Sequence, residues 1–441
     1  MSPSPARRRT ELGLIVLAVV LTGGLYALAG LGKAGNLPAN IGPFLIIIFA
    51  LLLIAHVAMR KLAPNADPIL LPTAGLLNGI GYVFIARLSS HEARLQAVWT
   101  ALGIACFVAT LALVRRARDL ERYRYSFAFA GIVLLLLPLA PGIGENINGA
   151  RLWIHLGSFN FQPGEIAKLA LAIFFASIMV ERADLLSQGT RRLGRFLVLD
   201  PRYLAPILAA WGLSLVIFFT ENDLGSSFLF FALFIGMLWV STGRFYYLGL
   251  GTALFAIGSF VALKVIGHTK SRVDAWLNPW PHANTTGYQL IQGWFAIAAG
   301  GLFGEGPGQS NVGHIPEAST DLIFAVIADE LGLVGAAALL MGFLLMVGTG
   351  LRVAVRCERQ FEKLLATGLS LIIGVQTFVI VGGVTRLIPL TGITLPFVSY
   401  GGSSLIANYI LLALLLRISH DTETPLEPAL RGVVLEEAVR T

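Results

Sequence analysis

The chain has 441 residues, 56% of them hydrophobic and 13% charged, with a mean hydropathy of +0.76. That apolar share excludes an ordinary soluble domain and points to an all-α, polytopic integral membrane protein. The net charge of +7 does not read as nucleic-acid binding, because Lys and Arg are spread over short loops rather than gathered on one face.

Apolar runs long enough to cross a bilayer fall at 12–31, 41–59, 68–86, 95–114, 125–143, 165–181, 203–219, 224–241, 245–264, 322–348, 361–383 and 402–418. About twelve transmembrane helices are therefore expected, with both termini cytoplasmic. The basic residues support this count. Arg7 to Arg9, Arg115, Arg116, Arg118, Arg191, Arg192, Arg195, Arg352 and Arg356 all fall in the alternate segments that this topology places inside. The opening "MSPSPARRRTELGLIVLAVVL" lacks a small-residue cleavage site and reads as the first span rather than a removed leader. Cys106 and Cys357 are too few and too far apart for a disulfide or a metal cage.

Three segments break the rhythm. On this topology the stretches 144–164 and 265–320 face outward, the second carrying tryptophans suited to an interface and the glycine-rich "GGLFGEGPGQSN". The third, Thr385 to Ser404, mixes Pro, Gly and Ser at membrane depth and must be buried in protein or line a cavity.

An ionisable side chain within the membrane costs about 2.5–3.5 kcal/mol on insertion scales, so each needs a partner or a role. Glu165 and Lys168 lie three apart on one helical face, as an ion pair or as a site offering an ammonium to an anion. Asp223 sits in a short loop with no basic neighbour and reads most simply as a helix cap. Asp329 and Glu330 point about 100° apart on a helix and require polar surroundings. Asp321, after Thr320 at the start of an apolar run, fits two roles: a cap for free helix amides, or a catalytic carboxylate on a polar lip.

Four ordered blocks resemble the SEDS family (shape, elongation, division and sporulation): "GARLWIHLG" with "FQPGEIAK", "NDLGSS", "HIPEASTDLIFAVIADELG" and "PLTGITLPFVSYGGSS". The resemblance runs from about Gly149 to Ser419. Departures are Gly164 for the usual Ser, Asn160 before the FQPGE block, Asn222 for Pro and Leu322 for Phe. The family's ten-helix core would occupy 65–418, preceded by a tail at 1–11 and two extra helices at 12–64, and followed by a tail at 419–441. The resemblance implies a peptidoglycan glycosyltransferase that polymerises lipid II at the outer face of the bacterial cytoplasmic membrane. Its implied partners are lipid II, lipid-linked glycan, membrane lipid and a class B penicillin-binding protein that crosslinks the product.

By the same resemblance Asp321 is the catalytic base, removing a proton from a sugar hydroxyl as that oxygen attacks an anomeric carbon with inversion. Trp153, Glu165, Lys168, Asp223, Arg272, Thr320, Ser399, Gly401, Gly402 and Ser403 are the implied substrate-binding or supporting positions. Lys168, Arg272 or a divalent cation (Mg2+ or Mn2+) would balance charge on the departing pyrophosphate; no other cofactor is implied. The last block is most similar to elongation-type members from high-GC Gram-positive bacteria. A division-type polymerase, a lipid II flippase and a non-catalytic scaffold are the competing readings.

Overall fold

The structure, a computed structural model, describes residues 5–38, 41–147, 150–156, 159–188, 190–193, 196–199, 209, 212, 224–265 and 267–424. Helices α1 (Pro5–Ala34), α2 (Ile41–Leu62), α3 (Leu70–Leu88), α4 (Ser90–Leu113), α5 (Arg124–Leu136) and α6 (Gly164–Gln188) come first. They are followed by α7 (Leu224–Thr242), α8 (Tyr246–Val265), α9 (Gly267–Leu277), α10 (Tyr288–Gly300), α11 (Ile323–Arg356), α12 (Gln360–Val384) and α13 (Gly402–Glu423). Every apolar run read from the sequence coincides with one of these helices except 203–219, of which only 209 and 212 are among the described residues. Among the described residues nine helical segments are long and apolar enough to cross a membrane.

Packing follows composition. Helix α13 is apolar nearly all round and buried nearly all round, with α12 beside it, as expected for the centre of a bundle. Helices α1, α2 and α8 instead leave large apolar side chains such as Val20, Ile46 and Phe260 exposed, the surface a hydrocarbon solvent would cover.

Hydrogen bonds define two ends. At one, which carries the tail after Glu423, Arg417 donates to the carbonyls of Leu62 (2.8 Å) and Leu111 (2.6 Å), and the Asp67 amide donates to Ser419 Oγ (3.0 Å). At the other, Lys33 Nζ donates to the Arg87 carbonyl (2.7 Å), joining the last turns of α1 and α3. Helix α1 runs the whole way between them, since Glu11 near its start is paired with His56 and Arg60 of α2 close to the tail end.

The expected outer segments are not bare loops. Strands β1 (Gly144–Ile147), β2 (Ala150–Leu156) and β3 (Phe159–Phe161) form an antiparallel sheet with Glu145 opposite Trp153 and Ile154 opposite Phe161. A second hairpin, β4 (Thr190–Leu193) with β5 (Phe196–Leu199), follows α6. The bundle is all-α apart from these ribbons.

The run expected as one span over 322–348 is divided. At Gly332 the backbone turns to φ 66°, ψ −170°, inside what is otherwise helix α11. A positive φ of this kind is open to glycine and strained for other residues. The break leaves backbone groups without helical partners, and the segment after α10 supplies them. Glu305 and Gly306 amides donate to the carbonyls of Asp329 (2.9 Å) and Glu330 (3.1 Å), while Leu333 and Val334 amides donate to Gly301 (2.9 Å) and Leu302 (3.1 Å). After the break, residues 333–356 span about 36 Å at 1.5 Å per residue, enough for a bilayer core of about 30 Å. The short segment 323–331 is thus a separate half-helix, buried along its length and not needed to cross the membrane.

Candidate active site

Asp321 stands just before the half-helix. The N-cap position falls at Leu322, an apolar side chain that caps nothing, so Asp321 lies one residue outside the helix. The turn that carries it is fixed by its neighbours on the α12–α13 connection. Ser399 Oγ donates to the Thr320 carbonyl (2.6 Å) and accepts from the Leu395 amide (2.9 Å), and the Tyr400 amide donates to the Ser319 carbonyl (2.8 Å). The later part of the connection lies in the protein interior, where Leu395, Phe397 and Val398 are buried and Gly81 of α3 packs against the Val398 backbone, whereas Thr385, Arg386 and Leu387 at its start are exposed.

Gly392 brings the charges together. A methyl group placed there would stand 3.6 Å from Asp321 Oδ2 and 3.9 and 4.0 Å from the two Arg272 Nη atoms, so carboxylate and guanidinium face the same small space across it. Gly392 has φ 77°, which again suits glycine. Arg272, on α9, is anchored by donating Nη1 to the Thr391 carbonyl at 3.2 Å. Asp321 and Arg272 are both half-buried, reachable from outside the packed core.

Glu165 and Lys168 contrast with them. Lys168 Nζ lies 2.6 Å from Glu165 Oε2 and 3.0 Å from Gln376 Oε1, and the lysine is 1% exposed. The pair joins the first turn of α6 to the middle of α12. Ser403 extends the join, accepting from the Gln162 amide at 2.8 Å, while Thr394 Oγ1 donates to Ser404 Oγ at 2.8 Å. Gly402 lies flat on the Trp99 indole, where any side chain would collide, and Gly401 opens the helix.

Of the residues singled out from the sequence, Asp321, Arg272, Thr320, Ser399, Gly401, Gly402, Ser403, Glu165 and Lys168 thus gather around the starts of α6, α11 and α13. Trp153 lies on β2, opposite Glu145, and Asp223 lies outside the described residues. Gln376, Thr391 and Gly392 were missed. Gln376 had a legible signal, a lone amide within the apolar run "SLIIGVQTFVIVGG".

A divalent cation would find the Asp321 carboxylate here, with a guanidinium beside it, and Glu317, whose Oε2 accepts from Thr320 Oγ1 at 3.0 Å, four residues before it. Among the described residues no group of three or more His, Cys, Asp or Glu side chains converges. An ion such as Mg2+ would have to complete its shell from substrate phosphate and water. Lys168, sealed between two acceptors, presents no open ammonium, which leaves Arg272 as the cation beside Asp321.

Residues 70–424 match the FTSW_RODA_SPOVE family of cell cycle proteins. The chain belongs to this family. It is 42% identical over 435 residues to the peptidoglycan glycosyltransferase RodA of Mycobacterium tuberculosis H37Rv, covering 96% of this chain and 93% of that protein. It is 34% identical over 345 residues to a probable peptidoglycan glycosyltransferase FtsW of Geobacter metallireducens, covering 77% and 85%. Among solved structures, it is similar to a chain from "Structural coordination of polymerization and crosslinking by a peptidoglycan synthase complex", with a TM-score of 0.65, 26% identity, and coverage of 82% of this chain and 99% of that one. The family match starts at the first turn of α3, so α1 and α2 precede it.

Proposed function

We propose that the chain is a peptidoglycan glycosyltransferase of the elongation type, with Asp321 as its general base. The observation that carries the reading is the Asp321 carboxylate facing Arg272 across Gly392, in a multi-pass membrane protein 42% identical to a peptidoglycan glycosyltransferase over 96% of its length. The substrate is lipid II, and the end of the bundle bearing 265–320 faces outward from the bacterial cytoplasmic membrane. Twelve spans with both termini cytoplasmic follow from the distribution of Lys and Arg.

In the reaction, the 4-hydroxyl oxygen of one lipid-linked sugar forms a bond to the anomeric carbon of another as the bond from that carbon to the pyrophosphate oxygen breaks. The hydroxyl proton passes to Asp321, the leaving pyrophosphate keeps the electron pair, and attack from the opposite side inverts the centre. A carboxylate within hydrogen-bond reach contributes about 10²–10⁴-fold to such a step. Arg272 supplies fixed positive charge for the departing pyrophosphate. A class B penicillin-binding protein crosslinks the strands, a reading supported by the likeness to a synthase that couples polymerization to crosslinking.

The test is the purified full-length chain, alone and with a class B penicillin-binding protein, incubated with lipid II. A polymerase yields glycan strands and releases one polyprenyl pyrophosphate per bond formed. A chain that only moves lipid II across the membrane, or only activates its partner, yields neither, and that result would overturn the reading.

A further inference from the structure

Asp329 and Glu330, inside an apolar run, have no place in the chemistry above, yet they occur at the Gly332 break. Glu330 is 1% exposed and fully engaged. Its Oε2 accepts from the Gly308 amide (2.7 Å), its Oε1 accepts from Ser310 Oγ (3.0 Å), and it is ion-paired with Arg87 in the last turn of α3. Arg87 in turn donates to the Ser310 carbonyl, and its own carbonyl accepts from Lys33 at the end of α1. The same turn is seated directly on α1: Gly32 lies against the Pro307 carbonyl, and Gly308, at φ 81°, lies against the backbone from Ala29 to Lys33.

These contacts have one mechanical consequence. The half-helix 323–331 is a rigid rod of about 13 Å, with Asp321 just beyond one end and Glu330 near the other. Whatever fixes Glu330 sets the depth and tilt of the rod, and so the place of the Asp321 carboxylate. We infer that Arg87 and Glu330 are positioning residues for Asp321, and that α1, which lies outside the matched family segment, completes the clamp by bracing the 307–310 turn from the other side. The inference rests on Asp321 being the base; the clamp itself is measured independently below.

Two disulfide reporters are placed in the full-length chain with Cys106→Ala and Cys357→Ala. Ser319→Cys with Tyr400→Cys reports the Asp321 turn, where the two backbones are hydrogen-bonded at 2.8 Å. Asn65→Cys with Thr424→Cys reports the tail end, where the native side chains are 3.2 Å apart. Oxidation rates are compared in the parent, in Glu330→Gln and in Gly32→Val. Polymerisation of lipid II is measured for the same two clamp variants without the reporters. Positioning predicts that Glu330→Gln slows closure of the 319–400 disulfide at least fivefold, leaves the 65–424 disulfide unchanged, and lowers kcat at least tenfold with KM within twofold. Gly32→Val, which pushes on the clamp from α1, moves both readouts in the same direction and carries the test if Glu330→Gln does not fold. An unchanged 319–400 rate in the variants that fold would overturn the inference, as would a slowed rate with unchanged kcat. If Asp321→Asn polymerises normally, the base assignment fails while the disulfide rates still report the clamp.

Discussion

Two pairs of opposite charge lie in the same half of the bundle, and they are built differently. Glu165 and Lys168 are sealed: the ammonium is 1% exposed and held between a carboxylate at 2.6 Å and an amide oxygen at 3.0 Å. Asp321 and Arg272 are half-buried and face a common space across Gly392. The sealed pair ties α6 to α12 and has no reach to spare for a ligand. The open pair sets Asp321 on a turn and Arg272 on the short helix α9, both half-buried, where charge can be met from outside the packed core. Ionisable residues at membrane depth therefore divide by access as well as by presence.

The sharpest way to break the sealed pair is to remove one member. Lys168→Met leaves Glu165 buried without its counter-charge, and about 3–5 kcal/mol of stability should be lost, read as a fall in folded yield and thermal midpoint in detergent. Lys168→Arg, which retains the charge, should recover part of it. On the open side Arg272→Gln should leave the midpoint unchanged and lower kcat about a hundredfold, the scale for losing one preorganised donor to developing charge; Arg272→Lys should fall between. Gly392→Ala sharpens the comparison further, because the methyl enters the space shared by the two charges and φ 77° is strained for alanine. A loss of about 1 kcal/mol or somewhat more in stability is expected, with kcat reduced about tenfold. The smallest effect concerns neither pair. Burial pushes the Cys357 thiol up to about 11, so it stays protonated at neutral pH and should resist maleimide below about pH 9, with labelling rising as the pH approaches that value.

Much of this was legible in the sequence because apolar run length and basic-residue bias are local signals. The helices, the burial of the later part of 385–404 and the turn bearing Asp321 were read from such signals. What was not legible depends on distant chain. Whether Asp321 caps a helix turns on the N-cap falling at Leu322, one residue further on. The break at Gly332 carries no local mark, since "ADELGLVGAAALL" reads as continuous helix until residues 301–306 are known to bond across it. Asp329 and Glu330 were expected to need polar surroundings, and Glu330 finds them in Arg87 of α3; that this lies at the level of the last turns of α1 and α3 was not legible. Lys168 and Arg272 could not be ranked as cations from spacing, because Gln376 and Gly392, which separate the sealed ammonium from the open guanidinium, are contributed by α12 and the connection after it.

The most direct test of Asp321 as the base is the rate of glycan strand formation from fluorescent lipid II by the purified full-length chain, wild type beside Asp321→Asn, with folding followed by thermal midpoint. Asparagine keeps the shape and removes the proton acceptor. The account predicts an unchanged midpoint and a rate at least a hundredfold lower. Strand formation by Asp321→Asn at more than a tenth of the wild-type rate would contradict it.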